Sequence, residues 1–213
     1  MKTILAYGDS LTYGANPQTG GPRHAYEDRW PTTLERSLGG KGRVIAEGLG
    51  GRTTAFDDYS SLADRNGARV LPTLLDSHKP LDLVIIMLGT NDLKIYINGT
   101  AFGAAMGVKR LVQIVRQHPY DVGQPVPQVI MVAPPLTVET DHADLHPMFA
   151  PRADEAKLFD SIYSRVAREL GVGYFNAASV AVADKRDGVH LDEANTRAIG
   201  EGLAPLVKSM LGL

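Results

Sequence analysis

Leu83-Val84-Ile85-Ile86-Met87-Leu88-Gly89-Thr90-Asn91-Asp92 decides the fold of this chain. It begins as an apolar, β-branched run and ends in a glycine-led polar turn. A strand with one wet face would alternate polar and apolar residues, so this run reads as a strand covered on both faces. Shorter or equal runs stand at 3–7, 43–46, 128–133 and 173–175, and this one is bounded as 81–87. Helix-period segments separate them at 31–38, 70–77, 101–117, 153–170 and 194–211. In 101–117, Ala104, Val108, Leu111, Val112 and Val115 share one stripe; in 153–170, Leu158, Ile162, Val166 and Leu170 repeat every four residues. Strand-helix alternation of this kind implies a parallel sheet between helical layers. Residues 14–29 and 134–152 break the rhythm and are expected to be long loops, which in a compact domain tend to be functional. The whole chain, 1–213, reads as one domain.

With 213 residues, 44% of them apolar, the chain has enough material for a continuous core. Its 22 basic and 24 acidic residues give a net charge of -2, which argues against a nucleic-acid or anionic-membrane partner. The absence of cysteine excludes disulfides, thiolate zinc sites and a cysteine nucleophile. No stretch approaches the ~18 apolar residues of a membrane helix. Met1-Lys2-Thr3-Ile4-Leu5-Ala6-Tyr7 offers one basic residue and a short apolar run rather than a signal peptide. The expectation is a cytoplasmic protein without a membrane partner.

Chemistry concentrates where strands end, because open α/β sheets form their sites at the carboxyl ends of the strands. The first strand runs into Gly8-Asp9-Ser10-Leu11-Thr12-Tyr13-Gly14. Ser10 there would sit exposed at a helix start, where backbone N–H groups favour negative charge. On position alone, a plain helix cap is the better explanation of Ser10. Thr12 occupies the second glycine of the G-x-S-x-G elbow, and no Gly-Lys-Ser/Thr ending marks a phosphate loop.

A serine hydroxyl needs a base. Of six histidines, His24, His78, His118, His142 and His146 lie in loops or at helix ends, where solvation is the usual outcome. His190 closes Asp187-Gly188-Val189-His190 between the last strand and the last helix. Asp187 is near enough to orient one ring nitrogen while the other faces Ser10, the arrangement of a Ser-His-Asp triad. Acyl transfer also needs oxyanion donors. The Asn91 amide follows one strand, and the N–H of Gly51, in Gly48-Leu49-Gly50-Gly51-Arg52-Thr53-Thr54, follows another. Each would pass as an ordinary turn alone; four strand ends supplying parts of one site are harder to dismiss.

Taken together, Gly8-Asp9-Ser10-Leu11, Gly51-Arg52-Thr53, Gly89-Thr90-Asn91-Asp92 and Asp187-Gly188-Val189-His190 resemble the sequence blocks of the GDSL esterases in the SGNH hydrolase superfamily. The resemblance spans residues 8 to 190. It implies a flavodoxin-like three-layer α/β/α sandwich with a central parallel five-stranded sheet, and no metal or other cofactor. It also implies that Ser10, Asp187 and His190 are catalytic and that Ser10, Gly51 and Asn91 form the oxyanion hole. Glu47-Gly48-Leu49, Arg52-Thr53-Thr54 and Asp192-Glu193-Ala194-Asn195 further resemble the bacterial arylesterase branch with acyltransferase or perhydrolase activity. That branch forms homo-oligomers whose loops narrow neighbouring sites. Tyr13-Gly14-Ala15-Asn16 lacks tryptophans found there, and Gly50-Gly51 replaces a Ser-Ala pair.

The implied substrate is a small acyl or aryl ester. Carbohydrate acetylesterase and lysophospholipase or thioesterase activities are alternatives, as is a non-catalytic flavodoxin-like binding module. Tyr13, Ile95, Tyr96, Met148 and Phe149, with Ile97 and Leu145, are candidates for an apolar pocket or for burial between subunits. Asp9 could order the oxyanion loops or serve structure alone. Trp30, before Pro31, suits a helix start, either in the core or at the site entrance.

Overall fold

Five parallel strands, β1 (Lys2–Gly8), β2 (Gly42–Gly48), β3 (Leu83–Met87), β4 (Gln128–Ala133) and β5 (Gly173–Asn176), form one sheet in the computed structural model. Their order is β2-β1-β3-β4-β5. The structure describes residues 1–18 and 21–213, so Thr19 and Gly20 of the expected 14–29 loop lie outside the described residues. The helices are α1 (Ser10–Tyr13), α2 (Trp30–Ser37), α3 (Gly67–His78), α4 (Ala101–Gln117), α5 (Leu145–Phe149), α6 (Ala153–Ala156), α7 (Phe159–Leu170) and α8 (Glu193–Leu211).

Alternate residues of each inner strand enter opposite cores. Leu5, Tyr7, Val84, Ile86 and Met131 pack with Leu71 of α3, Val108 of α4 and Val166 of α7. Ile4, Ala6, Leu83, Ile85 and Ile130 pack with Leu34 of α2 and Leu203 of α8. All five residues of β3 are buried, which is why that strand has no polar alternation. Burying one such side chain fully is worth about 1.5–3 kcal/mol. The expected α/β/α sandwich is the observed one.

The chain leaves β1 for β2 on one side and returns to β3 on the other. In this strand order the reversal opens a crevice beyond the carboxyl ends of β1 and β3. The register sets Gly8 beside both Gly48 and Met87, so three strand ends finish level.

Several expectations need correction. The 134–152 segment is not an unstructured loop: it carries α5 and a 3₁₀ turn at Ala150–Arg152. A second 3₁₀ turn, Tyr26–Asp28, ends the 14–29 segment. The expected helix 153–170 breaks into α6 and α7, and the buried face of α7 is Phe159, Tyr163, Val166 and Ala167. Leu158 is 44% exposed, because the two aromatic rings take the core one position out of phase with the aliphatic repeat. Trp30 belongs to the core, fully buried, and its indole N–H donates to Thr12 Oγ1 at 3.2 Å. His24 is likewise buried rather than solvated, with Nε2 at 2.8 Å from the Leu191 carbonyl oxygen. Among the described residues, no helix is long and apolar enough to cross a membrane.

Candidate active site

Asp9, not Ser10, caps α1: its Oδ1 accepts the Leu11 N–H at 3.0 Å. Ser10 is thereby left as the first residue of the helix, with a hydroxyl that takes no hydrogen-bond partner among the described residues. The helix lasts one turn, ended by Gly14 at φ 87°. Below it, the buried Arg52 guanidinium donates to the Gly8 carbonyl at 2.8 Å and to that of Glu47, binding the ends of β1 and β2. The same guanidinium lies over the Tyr7 ring, 4.3 Å from its centroid.

Asp187 and His190 close a unit four residues long. Asp187 Oδ1 accepts the N–H groups of Val189 at 2.9 Å and His190 at 2.8 Å, while Oδ2 accepts His190 Nδ1–H at 2.6 Å. Gly188 adopts φ +78°, and a Cβ there would stand 2.6 Å from the Val138 carbonyl oxygen, so only glycine suits this turn. Burial raises the Asp187 pKa, but the His190 bond and the Val189 N–H outweigh it and hold the carboxyl below its usual range. The carboxylate therefore stays charged and fixes the ring, leaving Nε2 for the cavity.

Asn91 lies in the 3₁₀ turn Thr90–Leu93 after β3. Its Nδ2 donates to Asp9 Oδ2 at 3.3 Å and to the Arg52 carbonyl at 3.2 Å. Asp92 turns the other way, accepting the Thr54 N–H at 3.0 Å and the Thr54 hydroxyl. Burial, the largest influence on each, pushes Asp9 up to about 6 and Asp92 up to about 7. Gly51 stands at φ +79° in the loop after β2. The backbone N–H groups of Ser10 and Gly51 have no acceptor among the described residues.

Ser10, Gly51, Asn91 and His190 line one cavity of about 660 Å³. Tyr13, Tyr96, Met148 and Phe149, all expected pocket residues, line it too, with Leu145. Ile95 does not: it is 52% exposed and outside the cavity wall. After Leu93 the chain turns, the Ile97 N–H donating to the Lys94 carbonyl at 2.9 Å, with Lys94 buried and Ile95 outward. Ile97 is also absent from the wall. Tyr96 Oη points to Met148 Sδ at 3.8 Å, joining the two sides. His142 Nδ1 accepts the N–H groups of Asp144 at 3.2 Å and Leu145 at 3.3 Å, and so caps α5 over the cavity. Sequence reasoning missed Arg65, Lys94 and Val189 in the wall. Lys94 follows Asn91 closely enough to have been suspected; Arg65, in a segment without a motif, gave no warning.

Residues 6–197 match the GDSL-like Lipase/Acylhydrolase family. The chain belongs to this family. A carbohydrate acetylesterase family member from Sinorhizobium meliloti is 51% identical, with a TM-score of 0.97 and full coverage of both chains. A protein provisionally described as an arylesterase, from Agrobacterium tumefaciens, is 48% identical at TM-score 0.93, over 99% of this chain and 100% of that one. The aryl esterase of M. smegmatis is 40% identical at TM-score 0.93, again over 99% and 100%. No curated protein matches significantly. In this GDSL-like acylhydrolase, the family match begins within β1 and ends within α8, so it takes in all four strand-end segments just described.

Proposed function

We propose that this chain is a serine esterase that hydrolyses small acyl or aryl esters through an acyl-enzyme on Ser10. The observation that carries the reading is the 2.6 Å Asp187–His190 pair opening on the same cavity as Ser10. His190 Nε2 takes the Ser10 proton as Oγ attacks the ester carbonyl. The oxyanion is received by the N–H groups of Ser10 and Gly51 and by the Asn91 amide. The two present acceptors of that amide are long, and an oxyanion is a stronger acceptor that would compete for one of its hydrogens. Collapse expels the alcohol or phenol, protonated by His190. Water, deprotonated by the same ring, then releases the acid; an alcohol or peroxide in its place would give acyl transfer.

A carbohydrate acetylesterase is the second reading. The similarity to the S. meliloti protein favours it, as does a polar cleft beside His190 lined by Asn16, Gln18, Arg23 and Asp144. A homo-oligomer is proposed from the exposed Ile95, Tyr96 and Phe102, apolar side chains that a second copy could cover. A cysteine-free composition suits the cytoplasm.

A fluorophosphonate should label the wild type and not Ser10→Ala. No labelling of folded wild type would reject the esterase reading. Comparing phenyl acetate with acetylated sugars separates the two substrate classes.

A further inference from the structure

The Ser10 cavity has a charge that nothing among the described residues answers. The acids of the neighbouring loop are taken by other cations. Asp57 and Asp64 pair with Arg69 at 2.8 and 3.0 Å, and Asp58 pairs with Lys94 at 2.9 Å. Among the described residues, no carboxylate lies within ion-pair distance of the Arg65 guanidinium, although Asp64 precedes it in the chain. No carboxylate lines the cavity either.

Arg65 is also well placed and firmly mounted. Its backbone carbonyl accepts the Thr53 N–H at 3.0 Å and the Thr53 hydroxyl at 3.1 Å. Its Nε stands 3.4 Å from the point where a Cβ on Gly51 would lie, which brings the guanidinium alongside the proposed oxyanion donors. An apolar acyl chain filling this cavity would strip water from that cation and give nothing back. A carboxylate would meet it with charge-assisted, potentially bidentate hydrogen bonds.

Which half of the ester reaches Arg65 follows from the tetrahedral intermediate. The oxyanion faces Gly51 and Asn91, and the leaving oxygen must face His190 to be protonated. The acyl chain takes the remaining direction, into the cavity that Arg65 lines. For the leaving alcohol there is an adjoining cleft that shares Tyr13, Ala15, Leu145 and His190 with this cavity and adds Arg23, but includes neither Ser10 nor Gly51.

We propose that Arg65 makes this enzyme prefer esters whose acyl chain ends in a carboxylate, that is, half-esters of short dicarboxylic acids. The inference rests on the Ser10 esterase reading. The preference should persist wherever the substrate carboxylate is ionised. It should weaken as salt rises, because Arg65 is only partly buried.

The test uses mono-nitrophenyl esters of succinic, glutaric and adipic acids, each beside an acyl chain of equal length ending in isopropyl. Spontaneous hydrolysis is subtracted. For at least one chain length, the wild-type ratio of kcat/KM, anionic over neutral, should exceed unity about tenfold, the scale of one partly screened charge-assisted contact. Arg65→Gln should bring that ratio near one, and Arg65→Lys should restore part of it. A wild-type ratio at or below one for every length overturns the proposal. So does an Arg65→Gln variant that slows both substrates equally, which would mark Arg65 as a general electrostatic aid to the oxyanion. Ser10-dependent turnover of the neutral esters reports separately on the esterase reading.

Discussion

Ser10, Gly51 and Asn91 reach the cavity from turns locked to three level strand ends, whereas Leu145, Met148 and Phe149 reach it from a five-residue helix. The first set forms a floor whose positions follow from sheet register, with Arg52 and Asp9 tying the turns to one another. The second forms a roof held by packing, by the His142 cap and by the Val138 N–H bond to the Gly188 carbonyl at 2.9 Å. Floor residues can therefore hold reacting atoms to fractions of an ångström, as bond-making requires. Roof residues can shape what is bound without governing how fast it reacts.

Substitutions can break this division. On the floor, Ser10→Ala should reduce kcat by about 10⁴-fold or more, close to background, and Asp187→Asn by about 10⁴-fold. Asn91→Ala should lose about 10²–10³-fold in kcat with little change in KM, as expected for a donor used chiefly in the transition state. Steady-state kinetics on a nitrophenyl ester measures all three. On the roof, Met148→Ala should raise KM about fivefold and leave kcat nearly constant, the loss of roughly 1 kcal/mol of apolar contact. A large kcat effect from Met148 would erase the distinction.

The smallest effect concerns the support beneath the floor. Asp92 keeps its proton in the folded chain up to about pH 7, whereas an unfolded Asp releases it near 4. Between those values the native state binds more protons, so its stability falls as pH rises. Asp9, at about 6, adds the same trend. Thermal melts from pH 5 to 8 should show a declining Tm, and Asp92→Asn should flatten that slope.

The same division explains what the sequence could reveal. Ser10, Gly51, Asn91 and the Asp187–His190 unit are legible because each sits within a few residues of an element end or on its own tight turn. Local chemistry places them: a glycine at positive φ, an Asp that caps, a backbone reversal. The fold was legible for a related reason, since buried parallel strands such as β3 must be apolar throughout. The roof was not. Whether 134–152 folds back over Ser10 depends on contacts between Val138 and Gly188, fifty residues apart, and no periodicity encodes such a contact. Ile95 was misplaced by the same gap, because inward and outward positions after Leu93 are set by the buried Lys94–Asp58 pair. Arg65 became visible only when the partners of every neighbouring charge were known.

The central claim is a covalent intermediate on Ser10. Rapid acid quenching during turnover of a slowly deacylated nitrophenyl ester, followed by peptide mass mapping, tests it directly. The account predicts one acyl group per chain on the peptide bearing Ser10, formed in a burst of nitrophenol equal to the enzyme concentration. Full turnover with no adduct and no burst, or an acyl group on any other residue, would contradict it.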